Sequence, residues 1–541
     1  MLKIIKENKF LISIFCLALV LRFYQLGSLP ALNADEAAIG YNAYSLIHTG
    51  LDEHGNSWPI HFQSFNDYKP GLTIYLVMPF VKFFGLNVWS VRVMPAFLGA
   101  LTVFSIYYLV IAIWPNRTKL ALYSSLLLAI SPWHIHFSRG AWEVNIATFL
   151  ITSGLVLFYK SLKESKYFAI SAILFVLSMY TYHAARIVVP LLGVCLALLY
   201  RKHLFLKKNF RLLGGAILLF VILLIPLGLD FIGAGTARAG GVSIFSDRGP
   251  IDRINEKRGE HEDISSFQAK VLHNKPVEYL FSFSENYFEH FWGEFLFLSS
   301  DDIQRNKVPE FGLLYLIQAP LLIFSFVHLS RNSKDWGGIL SWLLIAPIAA
   351  SLTFQSPHAL RAQSMIIPLT IISAYGLASI KKLKIKPVVL SFQIFILVFL
   401  VWDFSRYLHQ YYSHMSKTYS YSSQYSVEEM VEYINSRKNE FQKIYITDRY
   451  DQPYILYLFY STYPPEKFQS NHQLTGRDKF GFSTVREFDN LVFDQIDWDA
   501  LRDKRNILVI GSDKEINEAE ANVVKKIKFP SGDIAFKIVE L

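Results

Sequence analysis

The apolar residues of this chain come in long, nearly uncharged blocks, not in the alternation of a half-buried strand or the stripe of a soluble helix. The blocks are Phe10–Leu26, Ala96–Trp114, Leu120–Phe137, Val144–Tyr159, Phe168–Tyr182 and Ile187–Tyr200 in the first part of the chain. Leu212–Leu229, Leu313–Leu329, Ile339–Phe354, Met365–Ile380 and Val388–Trp402 follow. Each approaches the length a helix needs to cross a bilayer, which predicts a polytopic α-helical membrane protein with about eleven spans. Leu72–Phe84 is apolar but short, and reads as a helix lying along the outer membrane surface. Lys3, Lys6 and Lys9 before the first block resemble the start of a secretory signal, but so many later spans predict a retained anchor.

The charged residues between the blocks assign the sides. Arg117/Lys119, Lys160/Lys163/Lys166, the 201–211 cluster, Arg331/Lys334 and Lys381/Lys382/Lys384/Lys386 fall in alternate loops with the basic N-terminus, and acidic residues there are few. The positive-inside rule puts these loops and the N-terminus in the cytosol and the C-terminus outside, in a plasma (inner) membrane. The net charge of +9 is thereby accounted for by orientation and does not imply nucleic acid. Overall composition agrees, with 52% hydrophobic and only 18% charged residues. Gly-x-x-x-x-Gly-Lys-Ser/Thr does not occur, which argues against an ATP-driven pump. Cys16 and Cys195, both within apolar blocks, suggest neither a disulfide framework nor a thiolate metal site.

Three long segments then lie outside: 27–87, 230–310 and 403–541. The chain divides into a membrane domain, 1–404, whose outer loops 27–87 and 230–310 carry the polar chemistry, and a small extracytoplasmic α/β domain, 405–541. In the latter, Val427–Arg437 and Pro453–Tyr460 read as helices, and Lys443–Thr447, Asn506–Ile510 and Ile534–Val539 as strands. No catalytic motif stands out there, so it reads as accessory. The middle loop, with glycine-rich Gly233–Gly241 and charged Asp247–Asp263, reads as a segment that orders on substrate binding.

Candidate chemistry collects on the outer face. Asp35-Glu36 follows the first block in what reads as a loop. Asp67-Tyr68-Lys69-Pro70 precedes the surface helix, with Pro70 expected at its first position and Lys69 at its entrance, a setting suited to a phosphate oxygen. Adjacent residues on a helix point about 100° apart, so Asp35 and Glu36 fit one base with an orienting partner, not a facing acid/base pair. His136-x-x-Arg139, His183-x-x-Arg186 and His358-x-x-Arg361 recur at outer mouths of the blocks. If helical, each pair shares a face, and arginine matches phosphate bidentately. Snorkelling to the interface accounts for any one pair alone. Glu143 is either a partner of Arg139 or a further polar site group, and the His134/His136/Glu143 spacing matches no strong zinc motif.

Five of these stretches carry a family resemblance: Asn33-Ala-Asp-Glu36, Asp67-Tyr-Lys-Pro70, Ser131-Pro-Trp-His-Ile-His-Phe-Ser-Arg139, Tyr180-Thr-Tyr-His-Ala-Ala-Arg186 and Ser356-Pro-His-Ala-Leu-Arg361. From Met1 to Trp402 the chain resembles the GT-C fold glycosyltransferases that use polyprenyl-phosphate sugars, closest to bacterial protein O-mannosyltransferase-like and lipid A aminoarabinose transferase-like members. The resemblance implies a catalytic Asp35 assisted by Glu36, and a donor phosphate held by Lys69; Arg139, Arg186, Arg361 and His358, on their own position and chemistry, read as further ligands of that phosphate. Asp67, His136, Glu143 and His183 would be substrate contacts. It implies a polyprenyl-phosphate sugar donor, a hydroxyl acceptor on a lipid, glycan or protein, and surrounding membrane lipids. No cofactor or bound metal is required, although a divalent cation is compatible. Only one proline follows Lys69 where relatives often show two, and a Trp-Trp-Asp motif is absent despite Trp402-Asp403. A glycan ligase or polymerase using polyprenyl-diphosphate oligosaccharides is the rival enzyme. A lipid or solute transporter would require mid-span charges, which are scarce.

Overall fold

The structure, a computed structural model, describes residues 9–65, 67–204, 206–230, 241–329, 335–380, 386–478, 482–519 and 521–541. The glycine-rich run Gly233–Gly241 lies outside the described residues except for its last position, as do Arg331, Lys334, Lys381, Lys382 and Lys384. Each of the eleven apolar blocks contains a helix. Val88–Ile113, Glu143–Ser161, Asn209–Asp230 and Leu390–Thr418 are long and apolar enough to cross a membrane. Thr118–Ala129 and Pro132–Ser138 add a fifth span if they are taken as one, bent by 56° where Pro132 follows Ser131. The other apolar helices are shorter, at 10–17 residues. Two blocks are helical over only part of their length. Gln318–Leu329 begins five residues into its block, because Gln318 Oε1 caps the Tyr315 N–H at 3.1 Å and Leu314 N donates to Leu296 O at 2.8 Å. In the block Ile339–Phe354, the helix ending at Ile345 gives way to a second helix, Ile348–Ser351, with Pro347 as its cap.

The chain forms two compact units. The first comprises Met1–Leu21, Leu98–Phe137 and Glu143–Ser405 and holds most of the apolar helices. One of its helices, Lys275–Glu289, has inverted polarity. Its inner face presents buried Glu278 and Ser282 to Arg253 and Lys257, with Lys257 Nζ 2.7 Å from Glu278 Oε1. Its outer face exposes Leu280, Phe281 and Phe288, with Trp292 just beyond. An apolar face left outward in this way suits the headgroup boundary of a bilayer. A fluorophore on Phe281→Cys is expected to be quenched by spin-labelled lipids in reconstituted protein; quenching by aqueous agents alone would refute that placement.

The second unit comprises Arg22–Phe97, Ser138–Trp142 and Arg406–Leu541, so it gathers the segment 27–87 and the C-terminal region together. Asn33 caps a helix, Ala34–Thr49, which ends at Gly50 in the left-handed region, φ 73°. A hairpin follows, β1 (His61–Ser64) with β2 (Asp67–Pro70), then the helix Leu72–Phe84. A six-stranded sheet lies in the C-terminal region: β3 (Lys443–Thr447), β4 (Glu487–Phe488), β5 (Leu491–Asp494), β6 (Ile507–Gly511), β7 (Val523–Lys528) and β8 (Ile534–Glu540). The order is β4-β5-β3-β6-β8-β7, with β3 parallel to β5 and β6. β6, Ile-Leu-Val-Ile-Gly, is buried along its whole length, as a strand covered on both faces should be. One hydrophobic core runs from Ala37, Tyr41, Phe62, Ile74 and Val91 to Val431, Ile446, Leu458 and Phe468. The region after 405 therefore contains both helices and a sheet, and it shares its core with the segment 27–87.

Candidate functional site

Asp35 and Glu36 lie in the first turn of a helix, and the loop expected around them ends at Asn33. Asn33 Oδ1 accepts from Glu36 N at 3.1 Å and Asn33 Nδ2 donates to Glu36 Oε2 at 3.0 Å, a reciprocal cap that stops the loop there. Gln424 from the C-terminal region satisfies a further N-terminal donor, its Oε1 accepting from Ala34 N at 2.7 Å. The helical turn sends the two carboxylates to different surroundings. Glu36 is buried and Asp35 keeps 28% of its side chain exposed.

Glu36 is held on every side. Arg92 Nε donates to Oε1 at 2.7 Å and Arg92 Nη2 to Oε2 at 2.6 Å, a bidentate pair. Ala141 N donates to Oε1 at 2.8 Å. Gly140 makes this approach feasible, since a Cβ there would stand 2.6 Å from Trp142 Nε1 and 3.3 Å from Glu36 Oε1. Arg92 uses its remaining donors on backbone: Nη1 to Leu26 O at 3.1 Å and Pro30 O at 2.8 Å, and Nη2 to Ala31 O at 3.0 Å. All five guanidinium N–H groups are thus engaged.

Asp35 instead pairs with Lys69, whose side chain is only 9% exposed and whose ammonium lies 5.3 Å from the Phe65 ring centre. Lys69 is on β2 opposite Phe62, and Pro70 is the last residue of that strand, opposite His61. Pro70 is therefore not the first residue of the helix. The hairpin runs on through Gly71, whose N–H donates to Ile60 O at 2.8 Å, and the helix starts at Leu72. Only glycine fits at the junction: a Cβ on Gly71 would stand 2.7 Å from the Phe62 ring and 2.9 Å from Ile60 O. Asp67 is at the other end of β2, partly buried, opposite Ser64.

Arg139 is fully buried in the second unit. Its guanidinium donates to Tyr411 Oη at 3.1 Å and to the carbonyls of Arg22, Gln25 and Leu29 at 3.3, 3.3 and 3.0 Å, and it lies over the Tyr411 and Tyr412 rings. Expected as a phosphate ligand, Arg139 directs its guanidinium at the turn between the helix Lys9–Phe23 and Asp35, where it donates to carbonyls at and beyond the helix end.

The remaining sequence candidates belong to the first unit. His136 is buried, with Nε2 2.9 Å from Arg305 O, and neighbouring Trp133 donates from Nε1 to Ala359 O at 3.0 Å. Glu143 opens the helix Glu143–Ser161, where a carboxylate complements the dipole. His183 sits in the turn before Ala185–Leu199, and Arg186 in its first turn donates from Nε to Met179 O at 3.2 Å. His358 and Arg361 are in a turn, not a helix. Arg361 Nη1 donates to Thr353 Oγ1 at 2.6 Å.

Two residues missed by sequence reasoning organise that turn. Asp301 Oδ2 accepts from Ala359 N at 2.8 Å and from Asn306 Nδ2 at 3.1 Å, and is 3.8 Å from His358 Nδ1. Burial pushes its carboxyl up to about 6 against these hydrogen bonds. His290 Nδ1 is 2.7 Å from Asn286 O, so Nε2 is the acceptor for His358 N at 3.2 Å; burial holds this ring down at about 4, in its neutral form. The 301–306 turn thereby ties the His136 helix to the His358–Arg361 turn. Among the described residues, no group of three His, Cys, Asp or Glu side chains is placed to hold a metal ion.

Residues 12–237 match the family model described as dolichyl-phosphate-mannose-protein mannosyltransferase, and that part of the chain is a domain of this family. No curated protein sequence matches the chain. Among solved structures, ArnT from Cupriavidus metallidurans in the apo state is similar over 98% of this chain and 98% of its own, with a TM-score of 0.57 at 11% identity. The same protein bound to undecaprenyl phosphate matches over 97% of each chain, with a TM-score of 0.56 at 12% identity. The archaeal oligosaccharyltransferase AglB from Archaeoglobus fulgidus, in complex with an inhibitory peptide and a dolichol-phosphate, covers 94% of this chain and 70% of its own, with a TM-score of 0.53 at 12% identity. These likenesses establish the fold.

Proposed function

We propose that this protein is an integral membrane glycosyltransferase that moves a sugar from a polyprenyl phosphate to a hydroxyl of a lipid, glycan or protein on the extracytoplasmic face. The observation that carries the reading is the division of labour between the adjacent carboxylates: Glu36 is consumed by Arg92, while Asp35 is part-exposed and shares a lysine. The family match and the undecaprenyl-phosphate complex of ArnT support the donor class.

Asp35 accepts the acceptor's hydroxyl proton as that oxygen bonds to the anomeric carbon. The bond from that carbon to the phosphate oxygen breaks, and its electron pair leaves with the lipid phosphate, so the configuration inverts. Before donor binds, Lys69 neutralises Asp35; a bound phosphate competes for the same ammonium, which frees the carboxylate to act as base. Arg361 and Arg186, both only partly buried, keep the affinity for phosphate oxygens read from the sequence, with His358 beside Arg361. Glu36 acts on Asp35 by fixing the helix start. A divalent cation would add positive charge at the leaving group without changing these roles.

The test is transfer by purified protein in lipid from a panel of polyprenyl-monophosphate sugars, read by mass spectrometry of the products. Lys69→Ala and Arg361→Ala are each expected to raise the donor KM by about tenfold or more, the scale of one charge-assisted hydrogen bond. Unchanged donor KM in both would remove the phosphate site. Absence of transfer from every donor, with unaltered glycans and lipids in cells lacking the protein, would remove the function.

A further inference from the structure

A second carboxyl group, unused by this mechanism, interacts electrostatically with Lys69. Glu53 follows the Ala34–Thr49 helix in a turn built by Asp52, whose carboxylate accepts from His54 N at 2.9 Å and Asn56 N at 2.8 Å. That turn directs Glu53 inward, where it is completely buried. Asn42 brackets it: Glu53 N donates to Asn42 Oδ1 at 3.0 Å, and Asn42 Nδ2 donates to Glu53 Oε1 at 3.1 Å. Among the described residues Oε2 has no hydrogen-bond partner. His54 Nε2 is 3.8 Å from Oε1, and its other ring nitrogen is 2.8 Å from His472 Nε2. Among the described residues the other groups that act on Glu53 are Tyr41 of the Ala34–Thr49 helix, Tyr454 of the C-terminal region, Asp52 and the cation Lys69.

A buried carboxylate with a single neutral donor and one bare oxygen is strongly disfavoured, and the acid form removes the difficulty. Burial accordingly pushes the Glu53 carboxyl up to about 8, opposed by Asn42 and Lys69. The neighbouring imidazoles do not supply a counter-charge at neutral pH, since burial lowers both, His54 to about 3.

We propose that Glu53 is a positioning residue for Lys69: kept neutral, it leaves the ammonium to Asp35 and the donor phosphate, and once ionised it competes for that ammonium and weakens donor binding. The proposal rests on the reading of Lys69 as a phosphate ligand. Linkage fixes its sign. A second negative charge beside an anion site opposes the anion, so affinity is full below the Glu53 transition and lost as pH rises through about 8. His54 and His472, already neutral, do not titrate in that window.

The measurement is binding of undecaprenyl phosphate to the purified full-length protein between pH 7.5 and 9.5, where the lipid phosphate is already ionised. In the wild type the Kd is expected to rise about tenfold across this range. In Glu53→Gln it should stay at its low value throughout, and Glu53→Asp should restore the pH dependence. A flat wild-type profile overturns the proposal irrespective of how the variants fold, and so does a rise that persists in Glu53→Gln. Lys69→Ala separates the two levels. If it leaves affinity unchanged at pH 7.5, the phosphate reading fails; if it weakens affinity while Glu53→Gln keeps the wild-type profile, only the positioning role fails.

Discussion

Asp35→Asn is expected to slow sugar transfer by about a thousandfold while leaving donor binding at least as tight as in the wild type, the loss being that of a positioned general base. Asparagine keeps the shape and the place in the first helical turn but cannot take a proton. The sign of the binding effect follows from Lys69. Lys69 pairs with Asp35; under the proposed phosphate role of that lysine, the donor draws the ammonium away from Asp35, and in Asp35→Asn that competitor is gone. The asparagine amide oxygen still accepts from the Lys69 ammonium, so the stability change should be smaller than that of Asp35→Ala, which leaves this largely buried cation without an acceptor. Single-turnover transfer with saturating donor, beside an undecaprenyl-phosphate binding curve, separates the two effects. Transfer within tenfold of wild type would end the base assignment, and a loss confined to donor affinity would move Asp35 to the phosphate site.

The contrast between the two carboxylates was half legible in the sequence. Their angular separation on a helix could be anticipated, and so could a lysine in the same outer segment. The helix itself was also written there, in Asn33-x-x-Glu36, the spacing of a capping box before Ala-Ala-Ile. What hid it was the expectation that charges next to an apolar block stand in a loop. Arg92 gave a fainter signal. It is a lone cation near the start of an apolar helix, and such a residue implies an acidic partner, but 56 residues separate it from Glu36. Local pattern recovered Val427–Arg437 and Pro453–Tyr460 as helices and most of β3, β6 and β8, because those segments bury a periodic face. β5 and β7 were missed, being short in one case and lysine-rich in the other. Least legible was the shared core of the second unit. The bond from Ala34 N to Gln424 spans 390 positions, and no propensity or spacing reports a contact of that range.

That long-range core is why the second large effect is structural. Arg92→Ala is expected to destabilise the second unit by about 3–5 kcal/mol, the cost of stranding a buried charge. The variant leaves Glu36 buried with two fewer donors and also strips the carbonyls of Leu26, Pro30 and Ala31 of theirs. Those carbonyls belong to the segment entering the Asp35 helix, so activity should fall through misplacement of Asp35 and not through loss of a group that meets substrate. Glu36→Ala strands the complementary charge and should be similarly costly. Removing both removes the charge imbalance, so the double variant should be less destabilised than the sum of the single ones. Chemical or thermal unfolding of the purified proteins in detergent measures all three. Additive effects would show that Arg92 and Glu36 are not energetically coupled, and a wild-type unfolding midpoint for Arg92→Ala would show that the buried pair does not hold the Asp35 turn in place.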